Sequence, residues 1–182
     1  MAAAIENLMV TQAATELEEL FRANHARVLK AAYRVTGSMA DAEDVAQSVF
    51  LRLARGDIDR SRIAHLEGYL CRSAVNAALD LIRSRGHREN VPVETADELQ
   101  ANPGVSPERA HSSSEIREWL RGELAKLNPR AAEMFTLRYI EELDNPEIAA
   151  AMNTSQAVVA VTLHRTRARL KKQLSGFMKG AS

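Results

Sequence analysis

The side chains whose types and spacing could act on another molecule are cations and amides, and the chemistry they fit is the holding of a polyanion. Arg165, Arg167, Arg169, Lys171 and Lys172 crowd one short stretch, and Arg72, Asn76, Asp80 and Arg83 recur at intervals of four, four and three. That second stripe runs on into Arg85, His87 and Arg88. Covalent chemistry has no comparable grouping: no Ser/His/Asp, Cys/His, paired-carboxylate or phosphate-loop arrangement appears, so no catalytic residue is assigned and no enzyme is expected. His25, His65, His87, His111 and His164 are scattered without metal-ligand spacing, and the single cysteine, Cys71, excludes an internal disulfide and a multi-cysteine zinc site. No metal and no cofactor are expected. Cys71 falls on a predicted helix, where a small buried or half-buried thiol is the simpler reading than a nucleophile.

The C-terminal cations need a scaffold, and the residues before them supply one. Asp144 can accept hydrogen bonds from the free N–H groups of a first helical turn, Pro146 tolerates that turn, and Glu147 stands in capping-box spacing. Ile148, Ala149 and Met152 give this short helix one apolar face, and Asn153 follows where a left-handed residue must turn the chain. Ser155 then caps a second helix, with Val159, Leu163, Leu170 and Leu174 on one stripe. This is helix-turn-helix spacing, suited to laying a helix in a DNA groove. A helical hairpin whose basic end is merely solvated, and complements the helix dipole, reads the same residues.

Composition is that of an ordinary globular chain, with 46% hydrophobic and 26% charged residues among 182. No apolar run approaches the roughly 18 residues of a membrane span, and the N-terminus lacks the positive start of a secretion signal, so a cytoplasmic protein is expected. Formal net charge is zero, but it is unevenly spread. Residues 1 to 61 carry 7 basic and 9 acidic side chains, residues 62 to 88 carry 5 and 2, residues 89 to 123 carry 3 and 8, and residues 124 to 182 carry 9 and 5. Two basic blocks around an acidic one suggest two polyanion contacts with something different between them.

In chain order, residues 1 to 15 are Ala-rich without a clear period and read as an arm. Leu17, Leu20, Phe21, Val28, Ala32 and Val35 predict an amphipathic helix from Glu16 to Val35, ended by Thr36-Gly37-Ser38. The next helix, Met39 to Arg55, buries Ala42, Val45, Ala46, Val49, Phe50 and Leu53. Asp41 and Glu43 suit its first turn through the dipole, whereas Asp44, Gln47 and Ser48 form a polar face that is either solvated or a docking surface. Gly56 to Leu66 reads as a loop, and a third helix runs from about Glu67 to Ser84 with Leu70, Ala74, Ala77, Ala78 and Leu81 inward. Pro92, Pro103, Gly104, Pro107 and a Ser run mark residues 89 to 113 as a linker, whose roughly 25 residues reach at most about 80 Å. A helix around Glu115 to Leu127 and another begun by Asn128-Pro129 complete the second module, where Trp119 reads as a core anchor rather than a base-stacking platform. The fold expected is all-α: a helical domain at 16–88 and a helix-turn-helix domain at 114–182, joined by a flexible linker.

The motifs fall in one order: Asp41-Ala42-Glu43-Asp44-Val45-Ala46-Gln47-Ser48-Val49-Phe50, then Tyr69-Leu70-Cys71-Arg72-Ser73-Ala74-Val75-Asn76, and after the linker Leu137-Arg138-Tyr139, Glu147-Ile148-Ala149-Ala150 and Leu163-His164-Arg165-Thr166-Arg167-Ala168-Arg169-Leu170. In that order and spacing, from about Leu17 to Leu174, the chain resembles the extracytoplasmic-function group of bacterial sigma factors, promoter-specificity subunits of RNA polymerase. The resemblance implies that Asp41, Asp44, Gln47 and Ser48 dock on the clamp helices of core RNA polymerase, with the second module near the flap of the large subunits. It implies that Arg60, Arg62, Arg72, Asn76, Arg83 and Arg85 hold the melting minus-ten element, where cations and amides can grip phosphates and an extruded base. It implies that the helix-turn-helix reads the minus-thirty-five duplex through Ser155, Gln156, Ala160, Thr162, His164, Arg165, Arg167 and Lys171. An anti-sigma factor is a further partner the resemblance suggests, and the free form is expected to be monomeric.

Two departures bear on mechanism. Where the family has Thr-Val-Lys-Ser-Arg-Leu, this chain has Val158-Val159-Ala160-Val161-Thr162-Leu163, losing two cations from the start of the recognition helix. Neither Ala160 nor Val161 can make a bidentate base contact, which is worth about 1 to 3 kcal/mol of discrimination. Readout is therefore expected to lean on Gln156, Thr162 and His164, with methyl contacts to thymine still open and with Arg165, Arg167 and Lys171 on phosphates. Tyr69 stands where the family often has Trp, so melting by a row of aromatic wedges is not expected. A divergent sigma-like protein acting through protein contacts, or a free-standing helix-turn-helix regulator, are the alternative readings.

Overall fold

The computed structural model describes the backbone of residues 2–55, 63, 66–86 and 107–180, and the side chains of 15–55, 63, 66–85 and 113–179. Every regular element among them is helical: α1 Ala2–Thr36, α2 Met39–Ala54, α3 Leu66–Gly86, α4 Pro107–Ala125, α5 Pro129–Tyr139, α6 Asn145–Ala151 and α7 Gln156–Gly180. The all-α expectation holds.

The helices start and stop where local chemistry directs. Gly37 takes φ +72° between α1 and α2, a left-handed turn that glycine enters without steric cost. The Ser38 hydroxyl then accepts from the Asp41 N–H at 3.3 Å to cap α2. Asn128 accepts from the Arg130 N–H ahead of Pro129 to start α5. Two boundaries differ from the sequence reading. α1 begins at Ala2, where an arm was expected, because alanine favours helix without any amphipathic period. α4 begins at Pro107, inside the expected linker, proline being well suited to a first helical position.

α1, α2 and α3 pack together through Val28, Ala32 and Val35, Val45, Val49 and Leu53, and Leu70, Ala74, Ala78 and Leu79. Each fully buried Leu or Val in such a set contributes about 1.5 to 3 kcal/mol. In the second half, α5, α6 and α7 close around Met134, Leu137, Ile148, Val159 and Leu163. Trp119 is half-buried, its ring 5.9 Å from that of Phe177, in keeping with the anchor reading. The two halves are not merely tethered. α3 packs against α4, α5 and α6, and Arg121 of α4 reaches the α1–α2 turn so closely that a Cβ on Gly37 would collide with its guanidinium. Burial, and then the nearby Arg117 charge, push that guanidinium's pKa down.

Candidate functional site

The helix-turn-helix is built as its residues direct. The Asp144 carboxylate accepts from the Glu147 N–H at 2.8 Å, and the Glu147 carboxylate accepts from the Asp144 N–H at 2.7 Å, closing a capping box that starts α6. Asn153 turns the chain at φ +48°. The Ser155 hydroxyl then accepts from the Val158 N–H at 3.3 Å to start α7. Val159, Leu163, Thr166 and Leu170 face inward, which fixes the opposite face of α7 outward. Gln156, Ala160, His164, Arg165, Arg167, Arg169, Lys171 and Lys172 are all exposed. α7 contains no carboxylate, and none of those five cations makes an ion pair among the described residues. Two expected base readers are less free than their sequence suggests: Ser155 spends its hydroxyl on the cap, and Thr162 is half-buried beside the inward stripe.

On α3 the polar stripe is present but occupied. Arg72 donates through Nε to Glu133 Oε1 at 2.5 Å and through Nη1 to the Ala151 carbonyl at 2.5 Å, and Asn76 donates to the same Glu133 oxygen at 2.9 Å. Glu133 belongs to α5 and retains 10% side-chain exposure, against 32% for Arg72. A carboxylate of the second half thus occupies the donors that the resemblance assigned to DNA. Arg83 pairs with Asp80 at 2.8 Å and keeps 16% exposure. Arg60 and Arg62 lie outside the described residues.

The first turn of α2 also departs from expectation. Asp41, grouped above with the docking residues, is buried and takes a bidentate ion pair from Arg85, grouped above with the DNA-holding residues; Nη2 donates to Oδ1 at 2.6 Å and Nη1 to Oδ2. Each neutralises the other, which withdraws both from an outward role in this form. Asp44, Gln47 and Ser48 are exposed. Asp44 and Ser48 border an open groove of about 300 Å³ whose far wall is Ala77, Asp80, Leu81 and Ser84 of α3.

Besides Arg121, three residues of the contact between the halves escaped the sequence reading: Arg34, Glu133 and Glu141. Arg34 Nη1 donates to the Ile140 carbonyl at 2.8 Å and lies 3.6 Å from Glu141 Oε1. The signal for Glu133 was there, since Glu133, Thr136, Leu137 and Ile140 share one face of α5 and Glu133 is the charged member of an otherwise inward stripe. Cys71 is buried, as expected, and donates to Glu141 Oε2 at 3.6 Å. Burial, then the Glu141 charge and hydrogen bond, push its thiol up to about 12, partly opposed by Arg27 and Arg34.

An acid-free basic helix on a helix-turn-helix, joined to a second helical half that carries its own ion-paired basic stripe, has the features of a DNA-binding protein. Residues 20–88 match the family model of sigma-70 region 2, and residues 117–170 match sigma-70 region 4. The chain is 31% identical over 157 residues to the ECF RNA polymerase sigma factor SigW of Bacillus subtilis, covering 81% of this chain and 83% of that protein. It is 32% identical over 161 residues to the RNA polymerase sigma-E factor of Streptomyces coelicolor, covering 87% and 86%. Identity is 32% over 159 residues to the ECF RNA polymerase sigma factor SigE of Mycolicibacterium smegmatis, where the match covers 87% of this chain and 61% of that protein. Among solved structures, CnrH in complex with the cytosolic domain of CnrY superimposes with a TM-score of 0.54 at 23% identity, covering 93% of this chain and 96% of that one. The Mycobacterium tuberculosis factor SigJ gives 0.50 at 24%, covering 84% and 52%. The chain belongs to the extracytoplasmic-function group of sigma-70-type RNA polymerase sigma factors.

Proposed function

We propose that this sigma factor recognises a two-part promoter and opens it by binding rather than by catalysis. The observation that carries the reading is the outward face of α7, a row of exposed cations with no carboxylate on the helix, presented by a capped helix-turn-helix. Such a helix suits the major groove of the minus-thirty-five duplex, with Arg165, Arg167 and Lys171 neutralising phosphates. α3, with Arg72 and Asn76, and the preceding residues Arg60 and Arg62, take the minus-ten strand. Because Glu133 holds Arg72 and Asn76 in the present form, taking that strand exchanges a carboxylate for phosphates and bases. Asp44, Gln47 and Ser48 dock on the clamp helices of core polymerase, and the second half lies near the flap.

The protein acts in the cytoplasm, where the polymerase works; among the described residues no helix is long and apolar enough to cross a membrane. An anti-sigma partner is part of the proposal, supported by the likeness of the fold to CnrH, whose structure was solved with the cytosolic domain of CnrY. The domain assignment proposed is region 2 at 16–88, a linker at 89–113 whose last residues already belong to α4, and region 4 at 114–182, with a monomeric free form. Run-off transcription with core polymerase on a promoter library tests the whole reading. Initiation from a subset sharing two spaced elements is expected, and no initiation from any promoter would refute it.

A further inference from the structure

The first two turns of α7 pose a specific problem: the donors and acceptors expected to read bases there are mostly committed elsewhere. Ser155 caps the helix and Thr162 is half-buried, which leaves Gln156 as the exposed polar side chain before His164. In their place stand Val158, 46% exposed, and Val161, 50% exposed, with Ala157 and Ala160 beside them. Two β-branched apolar side chains this open to water gain free energy when a partner covers them, about 25 cal/mol per Å².

The occupant follows from the charge around the patch. Six cations, Arg165, Arg167, Arg169, Lys171, Lys172 and Lys179, lie further along the same helix, which has no acidic residue. A polyanion is therefore the surface that α7 attracts, and the apolar patch must meet whatever that polyanion offers at its base edges. In the major groove the only methyl group at a base edge is the 5-methyl of thymine, which projects toward the protein where cytosine has only a hydrogen; the remaining edge atoms are donors and acceptors that a valine cannot satisfy. Val158 and Val161 are three residues apart and so neighbours on the helix surface, about 5 to 6 Å between Cβ atoms. Base pairs rise about 3.4 Å per step, so the two side chains span one or two consecutive steps.

We infer that Val158 and Val161 are specificity-determining residues that read thymine methyl groups in the upstream promoter duplex. The inference rests on the proposed reading that α7 enters the major groove of that duplex. It makes the upstream element T-containing on the strand facing α7, and it replaces hydrogen-bond readout at those steps by apolar contact. A polar edge placed against either valine loses its water without gaining a partner, so discrimination arises from rejection as well as attraction.

The test uses the full-length protein assembled with core polymerase. Upstream duplexes are first selected from a randomised pool, and thymines in the selected sequence are then replaced one at a time by deoxyuridine, which removes the 5-methyl and keeps the pairing. At one or two adjacent positions the substitution is expected to weaken binding about fourfold, equivalent to about 0.8 kcal/mol for one buried methyl-sized group. With Val161→Ala or Val158→Ala the thymine-to-uracil difference at the matching position should vanish, while circular dichroism shows the fold unchanged, both side chains being half open to solvent. Full affinity with uracil at every position would overturn the methyl reading and leave groove binding intact. Failure to select any upstream duplex would overturn groove binding itself, and the methyl reading with it.

Discussion

Replacing Glu133 by Gln should loosen the contact between the two halves without changing its shape. Glu133 Oε1 accepts from Arg72 Nε and Asn76 Nδ2 together, and the substitution keeps the size and an acceptor oxygen while removing the charge. The Asn76 bond changes from one to a charged group, worth about 1.5 to 3 kcal/mol, to a neutral one worth about 0.5 to 1.5, while Arg72 keeps its own charge and loses only the ion-pair attraction. Arg72 keeps 32% exposure, so solvent screening reduces the difference to about 1 kcal/mol. At about 1.4 kcal/mol per tenfold, the open population rises about fivefold.

Cys71 supplies the readout, because it is the only thiol in the chain and is buried against Glu141 of the second half. Its labelling by a disulfide reagent in the native state follows the open population, so the rate should rise about fivefold in Glu133→Gln. Opening between the halves exposes less surface than global unfolding and should depend less steeply on urea. Binding of single-stranded minus-ten DNA should tighten by up to the same factor, since Arg72 and Asn76 become available in a larger fraction of molecules. An unchanged labelling rate, or a faster one with only the steep urea dependence, would refute the idea that Glu133 holds the halves together.

Three other outcomes are expected. Asp44→Arg reverses an exposed charge on the α2 face and should abolish co-purification with core polymerase; retained binding would remove that face from the docking surface. Arg167→Ala deletes an exposed cation of α7 and should weaken duplex binding about equally across sequences, lowering the salt slope by about one unit, and a loss confined to particular sequences would contradict a phosphate role. The native chain holds the Cys71 proton more tightly than the unfolded chain, since burial and Glu141 push the thiol up to about 12. Its contribution to stability is therefore full below the unfolded value of about 8.5 and declines as pH rises from there toward the folded value. The urea midpoint of the wild type should fall between pH 8.5 and 10.5 by more than that of Cys71→Ala, and parallel curves would argue against the raised thiol.

The parts of the fold set by near neighbours in sequence were legible. The Asp144–Glu147 capping box, the left-handed Asn153 and the Ser155 cap all depend on residues within three or four positions of one another. The inward stripe of α7 follows from helical period alone, and so does the outward set of cations opposite it. What escaped was the partner of each polar face. Arg72 and Asn76 meet Glu133 across 61 and 57 residues, and Arg85 meets Asp41 across 44. Period tells which way a side chain points but not which element arrives there. Asp41 was placed on the docking surface by the resemblance, yet the packing of α3 along α2 brings Arg85 over it and buries the carboxylate, while the guanidinium keeps 43% exposure.

That difference explains how a chain of zero net charge can present a strong field to DNA. In the first half the described cations of the polar stripe are balanced inside the molecule: Arg72 by Glu133, Arg83 by Asp80, Arg85 by Asp41. α7 has no such balance, since its five clustered cations lack a carboxylate on their own helix and an ion-pair partner among the described residues. Long-range attraction therefore comes from α7, whereas the stripe on α3 is locally neutral and the strand contact proposed for it must displace existing partners. In the proposed function, capture of duplex at α7 requires no rearrangement of ion pairs, but engagement of a strand by Arg72 and Asn76 requires the Glu133 contact to break. The order of the two events is thus built into where the carboxylates lie. Moving one of them should change it: a Glu133→Gln chain should engage single-stranded DNA with less dependence on a neighbouring upstream duplex than the wild type.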